Sequence, residues 1–180
     1  MPSVGGRKSP ATCSRMTAQS TGGFTMPKRI PLTQGRVAIV NNADYEGLSQ
    51  HKWYATKGGA VWYAKRDERG KTVLMHQLIL NPPVGTESDH INGDGLDNRR
   101  SNLRLCTHAQ NQMNSRKRTN CSSQYKGVDW DKSHCKWRAR IMADGKRHHL
   151  GYFDDEIDAA RAYNKAAKKG FGEFAKLNAI

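Results

Sequence analysis

The run DHINGDGLDNRRSNLRLCTHAQN, from Asp89 to Asn111, decides how the rest of the chain is interpreted. It begins with an Asp-His pair, continues through a Gly- and Asn-rich turn and a short apolar strand, and ends in the start of a helix. Hydrolysis of a phosphodiester needs a base for water, a cation against the charge on the phosphate, and a group that holds the base in one tautomer. The run contains residue types for all three tasks and therefore predicts a hydrolytic metal site.

Each task has a candidate residue. His90 is the candidate base, because an imidazole with a pKa near about 6.5 is largely neutral at pH 7 and can take a proton. Asp89 and a carboxamide such as Asn111 supply hard oxygen atoms, which suit one Mg²⁺ or Mn²⁺ ion better than zinc. Asn102 can form a hydrogen bond across the loop and orient the imidazole.

This run resembles the HNH homing endonucleases of phages and mobile introns, in a variant whose third letter is Asn instead of His. The matching spacings are twelve residues from His90 to Asn102 and nine more to Asn111. The resemblance implies a ββα-metal motif in which His90 is the base, Asp89 and Asn111 hold the ion, and Asn102 fixes the loop. It also implies products with 5′ phosphate and 3′ hydroxyl ends.

The ligand on the helix has alternatives. Thr107 and Gln110 form a capping-box pattern, which predicts that a helix begins there and places Asn111 one turn inside it. His108 lies three residues earlier on the same side and is a second candidate, and Asn114 is a third. His76 lies in the apolar run TVLMHQLIL and is interpreted as a packed structural histidine.

Composition points to a nucleic-acid partner. The 180 residues include 30 Lys and Arg against 16 Asp and Glu, for a net charge of +14. Such a charge favours a polyanion, and the chain has no apolar run near the roughly 18 residues of a membrane span. The hydrophobic fraction of 36% predicts small cores, and none of the four cysteines forms a C-x-x-C pair, which argues against a zinc knuckle.

The last part of the chain has a different pattern. YKGVDW, CKWRARIM and KRHHLGYF each predict a short strand, and DDEIDAARAYNKAAKKG predicts a helix with acidic residues in its first turn and lysines in its last. In the middle strand Trp137, Ala139 and Ile141 alternate with cationic residues, so one face is apolar and the other basic.

This tail resembles the DNA-binding domain of plant ethylene-response factors, through YKGV, WRARI, LGYF and AARAYNKAA. The resemblance implies a three-stranded sheet that lies in the major groove. The tail departs from the family where Asp129 and Trp130 replace the usual Arg. The predicted DNA contacts are Lys126, Trp130, Lys136, Arg138, Arg140, Lys146 and Arg147 in the tail and Arg116, Lys117 and Arg118 before it, and the alternative is a solvated basic face.

We therefore predict an α+β chain with a β-rich nuclease domain followed by a three-stranded antiparallel sheet packed on one helix. The expected divisions are an unfolded extension at 1–25, the nuclease domain at 26–115, a basic linker at 116–123 and the DNA-binding domain at 124–180. The expected activity is metal-dependent cleavage of double-stranded DNA by a cytoplasmic monomer, in a bacterial or phage-infected cell, without a membrane or small-molecule partner. The competing hypothesis is an inactive DNA-binding regulator, which the presence of all four site residues disfavours.

Overall fold

The computed structural model describes residues 26–117 and 121–180. The predictions for residues 1–25 and for Arg118 lie outside these described residues. The strands are β1 (Lys28–Pro31), β2 (Val37–Val40), β3 (Tyr54–Gly58), β4 (Val61–Glu68), β5 (Lys71–Leu74), β6 (Glu87–His90), β7 (Leu103–Cys106), β8 (Val128–Asp131), β9 (Lys136–Ala143) and β10 (Lys146–Phe153). The α-helices are α1 (Asn42–Ser49), α2 (Met75–Leu80), α3 (His108–Asn114) and α4 (Glu156–Phe171), and short 3-10 turns lie at Arg100–Asn102 and Gly172–Phe174.

The N-terminal module, residues 26–117, builds one core from three small antiparallel sheets. β1 pairs with β2, β3, β4 and β5 form a meander, and β6 pairs with β7. In β2 the fully buried Ala38 and Val40 alternate with more exposed residues, as expected for a strand with one buried face. Met75 of α2 and Leu103 of β7 complete the same core, which supports the β6–β7 hairpin from behind.

The C-terminal module, residues 121–180, is an antiparallel sheet in the order β10, β9, β8, with α4 packed across one face. Ala139 and Ile141 of β9 are buried in the clusters that include α4 residues. α4 is capped by Asp155, whose side chain accepts hydrogen bonds from the backbone N–H groups of Ile157 and Asp158. Among the described residues the fold is thus α+β, with small antiparallel sheets and four α-helices, as predicted.

Gly127 shows how closely the second module is packed. Its φ is +77°, and a Cβ atom there would collide with the ring of Tyr163 on α4 and the backbone oxygen of Arg140. Only glycine can take this backbone conformation without strain and leave room for the ring. The YKGV segment therefore fixes the approach of α4 to the sheet.

The two modules are in contact, which the sequence did not predict. The Lys126 ammonium donates hydrogen bonds of 2.6 Å to the backbone oxygens of Met113 and Ser115, where α3 ends. The Met113 side chain packs against the C-terminal core at Tyr163 and its neighbours. The division into a nuclease domain at 26–115, a linker at 116–123 and a DNA-binding domain at 124–180 stays a prediction.

Candidate active site

The β6–β7 hairpin sorts the candidate residues onto two sides. In the register of β6 and β7, Asp89 lies opposite Arg104 and His90 lies opposite Leu103. Because side chains alternate along a strand, Glu87 and Asp89 lie on the side that faces α3, and His90 lies on the other side. The predicted capping box is present: Thr107 Oγ1 accepts from the Gln110 N–H and Gln110 Oε1 from the Thr107 N–H, and α3 begins at His108.

The imidazole of His90 is held in one tautomer by Asn98. His90 Nε2 lies 3.3 Å from Asn98 Oδ1, and the Nδ2 of this fully buried Asn98 donates to the Leu96 carbonyl at 3.1 Å. Since the amide nitrogen is committed to Leu96, the oxygen must accept, and Nε2 must carry the proton. Nδ1 of His90 is left with the lone pair that a general base needs.

Burial keeps His90 neutral. The side chain is only 5% exposed, and burial lowers its pKa, against the opposing effects of the Asn98 hydrogen bond and the charge of Asp89. A neutral imidazole at pH 7 is the form that accepts a proton from water.

The amide of Asn102 bridges the loop that follows His90. Its Oδ1 accepts from the backbone N–H of Asn92 at 3.0 Å, and its Nδ2 donates to the Asp97 carbonyl at 2.8 Å. Both ends of the amide are therefore used to close the loop, and the orientation of His90, which we predicted for Asn102, is performed by Asn98. Asn98 carries no periodic signal in the sequence, so only the folded loop identifies it.

Asp89 is buried in a network of nitrogen donors. Its Oδ2 accepts from Arg104 Nε at 3.0 Å and from Nη2 at 2.8 Å. Asn114 Nδ2 lies 3.0 Å from Oδ1 and 2.9 Å from Oδ2 of the same carboxylate, and 2.9 Å from the His90 carbonyl. Of the three helix candidates, Asn114 is therefore the residue in direct contact with Asp89.

The other two helix candidates meet at Glu87, a residue that the sequence analysis missed. Asn111 Nδ2 donates to Glu87 Oε2 at 2.7 Å, and His108 Nδ1 lies 2.8 Å from Oε1. These two hydrogen bonds, Asn111's first, lower the pKa of the Glu87 carboxyl. Strand alternation was the available signal, because Glu87 precedes Asp89 by two residues and shares its face.

These residues line one cavity of about 1120 Å³. Its wall includes the oxygen-bearing side chains of Glu87, Asp89 and Asn111 and, beside them, His90. Four cationic side chains also line it, which suits an anionic substrate: Lys57, Lys65, Arg116 and Lys117.

The donor set fits a hard divalent ion. Carboxylate and amide oxygens are the ligands that Mg²⁺ and Mn²⁺ prefer. The hydrogen bond from Asn111 Nδ2 to Glu87 fixes which end of that amide is nitrogen and leaves Oδ1 for another partner. Within residues 26–117 and 121–180 no group of three or more His, Cys, Asp or Glu side chains could hold a metal ion.

His76 lies directly against His90. It is 6% exposed, its ring centroid is 4.7 Å from that of His90 in an edge-on arrangement, and its Nδ1 has no hydrogen-bond partner in the described part of the chain. Burial, followed by the charges of His90 and Lys65, lowers the pKa of His76 to about 3. The folded protein therefore keeps this imidazole neutral.

Stability is expected to fall in mild acid because of His76. Its pKa is about 3 in the folded chain against an ordinary 6.5, so between these values the unfolded chain binds more protons. The contribution of the neutral His76 to the free energy of unfolding is thus fully present above pH 6.5. It decreases as the pH drops towards 3. In urea unfolding between pH 7 and pH 5, the free energy of unfolding of His76→Leu should depend less steeply on pH than that of wild type. The control His51→Ala, at an exposed position, should keep the wild-type dependence. An unchanged slope in His76→Leu contradicts this assignment.

In the C-terminal module, the two central arginines are neutralised by aspartates. Arg138 forms ion pairs with Asp129 at 2.6 Å and Asp131 at 2.5 Å, and Arg140 pairs with Asp129 at 2.7 Å. All four side chains lie on the sheet face opposite α4, as strand pairing requires. The predicted strongly cationic face is therefore a network of alternating charges.

Three predicted DNA contacts lie elsewhere. Trp130 is paired with Trp137 and packs edge-on against it at 5.1 Å, on the α4 side of the sheet. Lys146 is paired with Ala143 on that same side. Lys126 is engaged with the end of α3, and burial, followed by the charge of Lys176, lowers its pKa to about 8. The position of Lys146 corrects our expectation that it lies on the same side of the sheet as Arg138.

The remaining predicted contacts are distributed along the surface. Lys136 forms an ion pair with Asp154 at 2.9 Å, and the exposed Arg147 is paired with Met142 on the open face of the sheet. Arg116 Nη2 donates to the Gly93 carbonyl at 2.7 Å, and Arg116 and Lys117 line the large cavity.

The chain is similar to a family of nucleases and to proteins of viral and phage origin. A family model described as HNH endonuclease matches residues 82–113. An uncharacterized HNH endonuclease of Acanthamoeba polyphaga mimivirus is 34% identical over 152 residues, which are 82% of this chain and 77% of that protein. Protein 3.8 of Escherichia phage T7 is 30% identical over 95 residues, 53% of this chain and 78% of that protein.

Plant proteins are similar to a shorter part of the chain. An AP2-like ethylene-responsive transcription factor of Arabidopsis thaliana is 42% identical over 59 residues, which are 33% of this chain and 12% of that factor. No solved structure matches the chain. In the described part of the chain no helix is long and apolar enough to cross a membrane.

Proposed function

We propose that this chain, which belongs to the HNH endonuclease family and is a nuclease, hydrolyses phosphodiester bonds of double-stranded DNA. His90 is the general base. The observation that carries the proposal is the hydrogen bond between His90 Nε2 and Asn98, which leaves Nδ1 for the attacking water. The same imidazole lines a cavity with a cationic wall, where a phosphate would lie.

The residues of the site divide the work. His90 Nδ1 takes a proton from water, and the imidazolium that forms is stabilised by the Asn98 oxygen and by the nearby charge of Asp89. Asn102 holds the loop between Asn92 and Asp97 closed, so that Asn98 stays under the imidazole. Lys65 and Arg116 on the cavity wall attract the phosphate.

A divalent ion, Mg²⁺ or Mn²⁺, held by the oxygens of Asp89 and Asn111, would neutralise the charge that develops on the phosphate and on the leaving 3′ oxygen. Asp89 Oδ2 already accepts two hydrogen bonds from Arg104, so Oδ1, which accepts only from Asn114 among the described residues, is the oxygen available to the ion. The ββα-metal motif thus consists, in this proposal, of β6, β7 and α3.

Incubation with supercoiled plasmid tests this function. With Mg²⁺ we expect nicked or linear DNA, and with EDTA in place of Mg²⁺ we expect intact plasmid that the protein still binds. Cutting that persists in EDTA contradicts the role of the ion. Binding without cutting in both buffers would instead indicate the inactive regulator.

The C-terminal module is the part that we propose selects the DNA. Its support is the similarity of 59 residues of the chain to a plant transcription factor. The open face of the sheet carries Arg138, Arg140 and Arg147, with the first two fixed by aspartates. Arginines held in place suit hydrogen bonding to base edges, since their side chains are already ordered.

Replacing Arg138 and Arg140 together with alanine should weaken duplex binding, because it removes two cationic donors and leaves Asp129 without its arginine partners near the phosphates. Each lost contact to a base edge should cost about 1–3 kcal/mol. The matched control is Lys168→Ala with Lys169→Ala, which removes the same charge from the last turn of α4. Binding to random and selected duplexes at two salt concentrations is the measurement. Equal losses of duplex affinity in the two double variants would show that this face contributes only its positive charge to binding.

A further inference from the structure

The end of the C-terminal module reaches the nuclease site through one arginine. The Nε and Nη2 groups of Arg104 donate hydrogen bonds to Asp89 Oδ2. Its Nη1 group donates to the backbone oxygen of Glu173 at 2.7 Å. Its carbon Cζ lies 4.0 Å from the centroid of the Phe174 ring. The Arg104 side chain is only 10% exposed, so this group is enclosed between the two modules.

Two further contacts bring the C-terminal module to other parts of the same site. Lys176 Nζ donates to the Asn92 carbonyl at 3.2 Å, at the start of the loop after His90. Lys126 binds the carbonyls of Met113 and Ser115, where the helix that carries Asn111 and Asn114 ends. The module therefore touches β7, the loop and α3, which are the elements that surround Asp89.

We propose that Glu173 and Phe174, in segment 172–178, position Asp89 through Arg104, so that cutting requires the C-terminal module to be docked on the N-terminal module and not merely tethered to it. A guanidinium is a planar fork of donors, and the Glu173 carbonyl together with the Phe174 ring selects one orientation of it. In that orientation two of its N–H groups donate to Asp89 Oδ2, while Oδ1 accepts from Asn114. Phe174 and the Glu173 carbonyl are positioning groups, since they act on Asp89 only through Arg104.

This inference rests on the proposed role of Asp89, and it makes the second module part of the nuclease site. A shift of the C-terminal module on DNA binding would reach Asp89 through two contacts: that of Phe174 with Arg104 and that of Arg104 with Asp89. A module that served only to hold DNA would not need to reach the buried carboxylate of the other module.

The test uses the full chain with Phe174→Ala, Phe174→Tyr and Leu177→Ala. Leu177 is an exposed apolar residue of the same segment and serves as the matched control. Three quantities are measured: the nicking rate at saturating plasmid, the KM for plasmid, and hydrogen exchange of the Glu87–His90 amides in metal-free protein. Phe174→Ala should reduce the saturating rate by about tenfold to a hundredfold with little change in KM, because misplacement of a reacting group affects the chemical step.

Hydrogen exchange supplies a readout that is independent of cutting. In Phe174→Ala the amides of β6 should exchange faster than in wild type, while those of β9 should not change. Phe174→Tyr keeps an aromatic face under the guanidinium and should restore both quantities, and Leu177→Ala should alter neither. If Phe174→Ala is unfolded at the assay temperature, Phe174→Leu replaces it, since leucine keeps apolar volume without the ring.

The proposal is overturned by unchanged exchange in β6 or by a saturating rate equal to that of Leu177→Ala. A loss confined to KM overturns it as well, because it would place the effect in DNA binding. Asp89→Asn separates this failure from failure of the proposed function. If Asp89→Asn is inactive and Phe174→Ala cuts normally, only the coupling is wrong; if Asp89→Asn cuts normally, the role of Asp89 is wrong.

Discussion

Replacing His90 with alanine is expected to lower the rate of plasmid nicking in Mg²⁺ by about 10²–10⁴-fold, the usual contribution of a general base. The reason is that His90 Nδ1 is the nitrogen left with a lone pair by the Asn98 hydrogen bond. Affinity for duplex DNA should change little, since a base acts mainly in the transition state. The rate is measured from the disappearance of supercoiled plasmid, and affinity from binding in EDTA.

His108→Ala is the matched control for that experiment. His108 lies one turn from Asn111 and its side chain is 75% exposed, so its loss removes an imidazole from the same region without opening the core. We expect its nicking rate to stay within about a few-fold of wild type. Nicking by His90→Ala at a rate similar to that of His108→Ala would refute the assignment of the base.

Asp89→Asn is expected to abolish cutting and to destabilise the fold at the same time. Asp89 and Arg104 form a buried ion pair with a 2.8 Å contact, and their side chains are 8% and 10% exposed. Removing the Asp89 charge leaves the buried guanidinium with only the exposed Glu173 carboxylate, 3.9 Å from Nη1, as a counter-ion among the described residues, and this loss costs about 3–5 kcal/mol. Urea unfolding measures the loss of stability, and plasmid nicking below the unfolding transition measures the loss of activity.

A double variant separates these two effects. Asp89→Leu combined with Arg104→Leu removes both charges and should recover much of the stability lost in Asp89→Asn, because an apolar pair often replaces a buried ion pair at little cost. Its nicking should remain absent, since no carboxylate is left. If the double variant cuts DNA, Asp89 is only a structural partner of Arg104.

The elements of the C-terminal module were predictable because their signals are local. The Asp155 cap, the lysines in the last turn of α4 and the alternation in β9 all concern residues within a few positions of one another. The Asp-His pair and the capping box at Thr107 are local in the same sense. The family match at residues 82–113 covers this same region.

The contacts that organise the site were not predictable, because they join distant parts of the chain. Arg104 and Glu173 are 69 residues apart, and Asn114 and Asp89 are 25 apart. Spacing places His108, Asn111 and Asn114 on one helix, but the packing of α3 on β6 decides which of them meets Asp89. The ion pairs of Arg138 and Arg140 depend on strand register, which decides whether Asp129 lies opposite them or on the other face.

The aspartates beside Arg138 and Arg140 also affect how rapidly the proposed DNA-binding face would find and leave a duplex. A face with balanced charge attracts phosphates weakly at a distance, so it adds little to diffusional capture and leaves capture to the basic cavity wall. Ordering an arginine side chain costs up to about 2 kcal/mol of rotamer entropy, and here the ion pairs have ordered both arginines before DNA arrives. At a wrong sequence Asp129 faces phosphates or acceptor atoms with no compensating donor. Residence on such sites should therefore be short, and the chain should move on to sample further duplex.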